Sequence, residues 1–403
     1  MRARVAPLQL SVLAALAGVW AAAAYFLWQS QVPSSLGLPH LDPGAFFDAH
    51  TLSKAARFER FLELSWVGQE VLLVAVFCAY AIWGAGFARE SAAGRVGTGI
   101  LLAMIGFALA WLVRVPFQVL DTWWERRYGV TKQGYAEVVL GGWLALGFTF
   151  IALSAAVAIV MGLAGVLGRW WWVAAVPVFV AIAFVVTLVS PFLQTSTHPL
   201  RSSRLTAAAK RIERREGLSG IEVEVQDVHS FTPQENAFAS GLGPTRKVFL
   251  WDTLLIGGLT DREIEVVLAH EFGHHARDHL WKELGWYALL AFPEAYLVAL
   301  ATRRRGGLRR PESIPVALLV VTLFNLAALP VLNTITRHYE AEADWAALQT
   351  VRDPTAMRGL FQHFGSHDLA NPDPPTWAYV LFADHPTLMQ RIAMADAWRA
   401  RNR

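Results

Sequence analysis

The chain has 403 residues, of which 55% are hydrophobic and 17% charged, and its formal net charge is +3. An ordinary soluble domain carries about 25% charged residues, so this composition excludes a disordered chain and argues against a soluble enzyme. The arginines flank apolar runs, which suits a membrane surface rather than nucleic acid, and the single cysteine, Cys78, excludes an intramolecular disulfide and a cysteine-built metal site.

A membrane-crossing helix needs about 20 mainly apolar residues. Ser11–Trp28 is the first such run and reads as a retained span rather than a cleaved signal peptide. Trp66–Gly86, Thr98–Leu120, Val139–Leu167 and Trp171–Ser190 follow. A polar stretch of some 90 residues separates them from two further runs, Leu284–Ala301 and Ile314–Ile335, for a total of seven expected spans. Trp123, Trp124 and Trp170–Trp172 read as interface anchors. Arg2, Arg4, Arg89, Arg95, Arg169, Arg303, Arg304, Arg305, Arg309 and Arg310 fall on one side of such a bundle, whereas Arg201, Arg204, Lys210 and Arg211 fall on the other.

Within the polar stretch, Ser203–Glu216 is a basic amphipathic helix closed by Gly217. Ile221, Val223 and Val225 alternate with polar residues, a strand pattern. Asn236–Ser240 and Val248–Trp251 are further strands, separated by the turn residues Gly241, Gly243 and Pro244. Thr260 and Glu263 form a capping box, so a helix starts there and carries the next motif, His270-Glu271-Phe272-Gly273-His274. Two histidines four apart share a helical face and can reach one metal ion, while Glu271 lies beside that face, placed to take a proton from a water at the metal. His275 and His279 continue on the same helix and read as packing or hydrogen-bonding residues. His40, His50, His198, His229, His363 and His367 carry no pattern.

Such a metal site needs a third protein ligand. The segment Thr336-Arg337-His338-Tyr339-Glu340-Ala341-Glu342-Ala343-Asp344 offers carboxylates on another helix. Glu340 and Asp344 share a face, so Glu340 can bind the metal while Asp344 accepts a hydrogen bond from a ligand imidazole. Residue spacing alone does not choose between Glu340 and Glu342.

Together these residues resemble the CAAX prenyl protease 1 family of seven-span membrane zinc metalloproteases, and more distantly the HtpX-like heat-shock membrane proteases. The family places Arg, Glu and Ala-Asp at the spacing of Arg337, Glu340, Ala343 and Asp344, which implies Glu340 as third ligand. Asn236-Ala237-Phe238 matches its Asn-Ala-aromatic strand, and Lys247-Val248-Phe249-Leu250-Trp251-Asp252-Thr253-Leu254 its basic, apolar, Asp-Thr-Leu strand. His385-Pro386-Thr387-Leu388-Met389-Gln390-Arg391 matches its His-Pro pattern, and the loop Glu125–Gln133 resembles its segment after the third span. The resemblance implies one Zn2+ per chain on His270, His274 and Glu340, with Glu271 as general base and then acid toward the leaving amine. It makes Asn236–Phe238 a sheet edge that binds substrate as an added strand. It makes His385 and Arg391 donors to the oxyanion or to a substrate carboxylate.

The expected fold is mostly α: a polytopic membrane protein of about seven spans with a small α+β zincin-like metalloprotease domain. Residues 1–190 form the amino-terminal membrane domain of five spans. Residues 191–403 form the protease domain, with a two-span hairpin at about 284–335. The expected activity is peptide-bond hydrolysis in the cell membrane, on CAAX-type tails, prenylated or not, or on misfolded membrane proteins. The partners are then a peptide or protein substrate and the lipid bilayer, with no nucleic acid. The alternative is an inactive transporter or scaffold with a vestigial metal site. The intact base, the two histidines and a third-ligand candidate argue against it.

Overall fold

A computed structural model describes the backbone of residues 7–402, and their side chains apart from those of 7–13, 16, 88–90 and 141–146. Arg2 and Arg4 of the charge pattern lie outside the described residues. Long helices dominate the amino-terminal part: α1 (Pro7–Leu27), α2 (Ala49–Trp83), α3 (Gly94–Tyr128), α4 (Tyr135–Leu167) and α5 (Trp171–Val189). After β1 (Thr197–Pro199), α6 (Ser203–Arg215), β2 (Glu222–Gln226), β3 (Ala237–Ser240), β4 (Lys247–Trp251) and α7 (Asp252–Ile256), the chain enters α8 (Asp261–Ala276), α9 (His279–Thr302) and α10 (Ile314–Val351). It closes with α11 (Pro354–His367), α12 (Thr376–Phe382) and α13 (Leu388–Arg401).

Five helical stretches among the described residues are long and apolar enough to cross a membrane: Ala49–Phe87, Gly94–Tyr128, Gly147–Leu193, His279–Arg305 and Pro311–Val351. The third holds both α4 and α5, which break at Gly168, where φ is +60°, and pack on each other. The expected first span coincides with α1, of which the stretch Ala17–Leu27 is apolar but short. The helix that carries the seventh expected span does not end at Ile335. Because a helix satisfies its own backbone hydrogen bonds in lipid and in water alike, α10 continues unbroken through the Arg337–Asp344 segment to Val351.

The ends of the bundle differ chemically. Arg305 donates to the carbonyl of Ala81 (2.7 Å), and Arg309 to those of Ala164 (2.8 Å) and Gly165 (3.2 Å). The ends of α2, α4 and α9 therefore meet at the arginine-rich end. The opposite end of α9 and α10 carries the polar half. Trp123 and Trp170 are exposed as expected of anchors, but Trp171 is buried and Trp124 is half-buried, its indole donating to the Phe58 carbonyl (3.1 Å).

The small sheet has strand order β1-β2-β4-β3, with β2 and β4 parallel and the outer pairs antiparallel. α6, α8, α10, α11 and α13 bury its apolar face in one core that includes Val248, Leu250, Leu268, Phe272, Leu348 and Ile392. Phe47 joins this core, with Val32, Leu36 and Leu41 packed against it. The segment after α1 is thus packed with the carboxy-terminal half, across the expected division at residue 190.

β3 is an edge strand. Trp251 donates its N–H to the carbonyl of Asn236 (2.9 Å), so residues 236, 238 and 240 face β4 with their hydrogen-bonding groups. In an antiparallel ladder the alternate positions, Ala237 and Ala239, then direct their N–H and C=O groups outward.

Candidate metal centre

α8 starts as the sequence dictates. Thr260 accepts from the Glu263 amide (3.3 Å), and the Glu263 carboxylate accepts from Thr260 N (2.7 Å). The helix crosses α10 at Gly273. A β-carbon there would lie 3.2 Å from Ala346 Cβ and 3.5 Å from Ala343 Cα. This close approach brings Glu340 onto the two histidines. His270 Nε2 and His274 Nε2 are 3.1 Å apart, and the Glu340 oxygens lie 3.1 Å from the first and 3.3 Å from the second.

These residues fit a metal ion. An ion bound tetrahedrally at about 2.0–2.1 Å places its ligand atoms roughly 3.3 Å apart. Two bare imidazole nitrogens 3.1 Å apart repel unless a proton or a metal ion stands between them, and Glu340 Oε2 is buried without a well-directed hydrogen bond. The glutamate at the neighbouring position points elsewhere. Glu342 accepts from Gln31 N (2.6 Å), His279 Nε2 (3.1 Å) and Lys282 Nζ (3.2 Å).

The outer nitrogens of both histidines are engaged. His270 Nδ1 donates to Asp344 Oδ1 (2.9 Å), which leaves Nε2 as the lone-pair atom. Asp344 in turn accepts two bonds from Arg391, Nε to Oδ2 (2.7 Å) and Nη2 to Oδ1 (2.6 Å), and the guanidinium lies over the Phe361 ring. On the other side His279 Nε2 donates to Glu342. Its Nδ1 then accepts from His274 Nδ1 (3.0 Å), and His274 Nε2 is likewise left bare. His279 therefore stands behind His274, on a different helix from the motif. The continuous helix expected through His279 breaks at Arg277–Asp278, where Asp278 takes left-handed backbone (φ 55°), and α9 begins anew. Asp tolerates that conformation better than most residues. His275 turns away and donates to the Lys247 carbonyl (3.0 Å), joining α8 to β4.

Burial holds the His274 imidazole well below its ordinary range, and neighbouring histidines add to this. Burial also opposes charging of His270, but Glu340 and Asp344 outweigh it and raise the group to about 10. A metal held by His270 Nε2 would displace that proton. Burial pushes Glu271 up to about 7; its carboxylate accepts from the Ala239 amide, an outward-facing group of the edge strand.

The remaining expected site residues surround this cluster. Asn236 Oδ1 accepts from Ala237 N (2.8 Å), and Phe238 stacks on Phe249 instead of facing the metal centre. Asp252 holds the approach to β3 by accepting from the amides of Val228 (2.9 Å) and His229 (3.0 Å), while Thr253 donates to the Gln234 carbonyl (2.7 Å). His385 Nε2 lies 3.0 Å from Glu340 Oε2, its Nδ1 2.8 Å from Asp384, and half of its side chain is exposed. Burial opposes its protonation, but Asp384 and Glu340 raise it to about 9. Helix α13 begins at Leu388 with Thr387 as its cap, which puts Arg391 about one turn inside. Its guanidinium is committed to Asp344. A cavity of about 540 Å³ adjoins His385 and Arg391, walled by Leu62 and Trp66 of α2 and by Phe364 and Phe382.

Two features were missed from the sequence. Gly273 has no side chain to announce a helix crossing. His363 and His367, read as patternless, stand one turn apart on α11 and meet Glu235.

Residues 217–399 match peptidase family M48. The chain is 25% identical over 241 residues to the uncharacterized metalloprotease YhfN of Bacillus subtilis, covering 57% of this chain and 56% of that relative, so it spans little more than half of YhfN. It is 30% identical over 213 residues to a protease HtpX homologue of Acidiphilium cryptum, covering 47% of this chain and 72% of the relative. Its fold is similar to the crystal structure of Ste24p from S. mikatae, with a TM-score of 0.73, 18% identity and coverage of 97% and 99% of the two chains.

Proposed function

The chain belongs to peptidase family M48, and from that membership we propose that it is an integral membrane zinc metalloendopeptidase. The observation that carries the reading is the convergence of His270 Nε2, His274 Nε2 and the Glu340 carboxylate, from two helices, on one point beside Glu271. His270, His274 and Glu340 hold one Zn2+ ion, which supplies Lewis acidity toward the scissile carbonyl and the attacking water. Glu271, buried and anchored by the edge strand, accepts the proton of that water and later delivers it to the leaving amine. An extended peptide adds to β3, at Asn236–Phe238 and on to Ala239, through the outward carbonyls of Ala237 and Ala239, whose amides are held by Asn236 and Glu271. His385, half-exposed and cationic, donates to the oxyanion. Arg391 acts through Asp344, which orients His270.

The substrate is an extended segment of a membrane protein or a CAAX-type tail, entering from the side of the apolar cavity. Residues 191–403 carry the chemistry, while residues 1–190, with the hairpin near 284–335, supply the membrane setting. The test is cleavage of prenylated and unprenylated peptides by the purified full-length protein. Glu271→Gln should lower turnover by about 10²–10⁴ on every cleaved peptide while zinc content stays unchanged. Substantial hydrolysis by the zinc-loaded variant overturns the role of Glu271.

A further inference from the structure

A second group of metal-ligating side chains lies at the start of β3. His363 and His367 are four apart on α11 and their rings stack at 17°, with centroids 5.1 Å apart. Both face Glu235, whose Oε1 lies 2.9 Å from His363 Nε2 and 3.9 Å from His367 Nδ1. One ligand atom from each of the three residues lies within 4.8 Å of the others.

The Glu235 carboxylate is the informative member. Its side chain is 0% exposed, and its second oxygen, Oε2, is buried with no hydrogen-bond partner. A buried carboxylate oxygen left unpaired is costly. The His363 hydrogen bond satisfies only Oε1. The chain makes room for the group deliberately: a β-carbon at Gly257 would come within 1.7 Å of Glu235 Oε1. His367 Nδ1, the nitrogen that faces Glu235, also lies 3.2 Å from Asp368 Oδ1, so an ion bound there takes the place of that contact.

We propose that Glu235, His363 and His367 form a second metal site. Two imidazoles and one carboxylate select a borderline divalent cation, zinc above all, over calcium or magnesium. A cation there draws on both carboxylate oxygens and gives the buried Oε2 a partner. Glu235 immediately precedes Asn236, and it lines the same cavity of about 100 Å³ as His270, Glu271 and His385. The ion therefore clamps α11 to the lead-in of the edge strand and fixes where that strand begins beside the catalytic centre. It is additional to the single catalytic ion and does not depend on it.

The experiment counts zinc in tag-free, full-length protein in detergent, stripped with chelator and dialysed to saturation against zinc chloride alone. The expected result is two zinc ions per chain in the wild type, one in His274→Ala, and one in the double variant H363A/H367A. Should the double variant fail to fold, His274→Ala alone decides: one retained zinc supports the site and none overturns it. One zinc in the wild type, lost entirely in His274→Ala, overturns the proposal and leaves the catalytic reading intact. One zinc that survives His274→Ala but is lost in H363A/H367A supports this site and defeats the catalytic one.

Discussion

Two glutamates two residues apart on α10 illustrate what a side chain's azimuth decides. Glu340 and Glu342 differ by about 200° around the helix, so one meets the histidine pair and the other meets Gln31, His279 and Lys282. Glu340→Ala should lose the zinc ion of the His270–His274 pair. Glu342→Ala should retain it, with affinity weakened at most about 10–100-fold through His279, as for other groups that orient a ligand. Loss of zinc in Glu342→Ala with retention in Glu340→Ala reverses the assignment. Arg391 presents a different contrast. Both of its bonds to Asp344 are buried, so Arg391→Ala leaves that carboxylate without its counter-charge, at a cost of about 3–5 kcal/mol. If Arg391 acts by positioning, its loss lowers kcat and zinc affinity equally for peptides with a free or an amidated terminus. A KM increase confined to free-acid peptides instead identifies it as a substrate-carboxylate anchor. The convergence of His270 and His274 beside Glu271 is legible in the sequence because residues four apart share a helical face. The pairing of Arg391 with Asp344, 47 residues apart, is not, since no local pattern encodes it.

At the level of elements, the alternation of Val223 and Val225 and the Thr260 capping box translate directly into β2 and α8. α10 was read as two pieces because its composition changes near Thr336, but composition reports the solvent outside a helix, not its continuity. The break before α9 escaped for the converse reason: Arg277 and Asp278 are weak breakers by sequence. The crossing of α8 and α10 at Gly273 is the contact on which the site depends. Gly273→Val should separate the helices, cost about 1–3 kcal/mol by overpacking and lower zinc occupancy. Gly273→Ala combined with Ala346→Gly should recover much of the zinc that Gly273→Ala alone loses. Equal zinc content in Gly273→Val and wild type shows that the close approach does not set the ligand geometry.

For the whole molecule, the distance between its two chemical ends is fixed by helix length. From Ile314 to Glu340 is roughly 39 Å of α10, more than the hydrocarbon core of about 30 Å, and the arginine-rich loop between α9 and α10 lies at the far end from the metal centre. In a Cys78→Ser background, Arg304→Cys and Ser230→Cys should react with an impermeant thiol reagent from opposite faces of sealed vesicles. Labelling of both from the same face contradicts a bundle that spans the bilayer between them.

The unbroken course of α10 makes its length a matter of pitch. Adding one residue between Pro330 and Arg337 turns everything beyond it, Glu340 and Asp344 included, by about 100° and advances it by about 1.5 Å, like a screw driven part of a turn. Seven added residues nearly restore the bearing but displace the carboxylates by roughly 10 Å. The connection at 303–313, in contrast, is a chain of short turns that absorbs length without transmitting rotation. Adaptation of this scaffold to a thicker or thinner bilayer therefore has to pass through that connection and through α9. The thread of α10 is locked to the histidine pair that Glu340 meets.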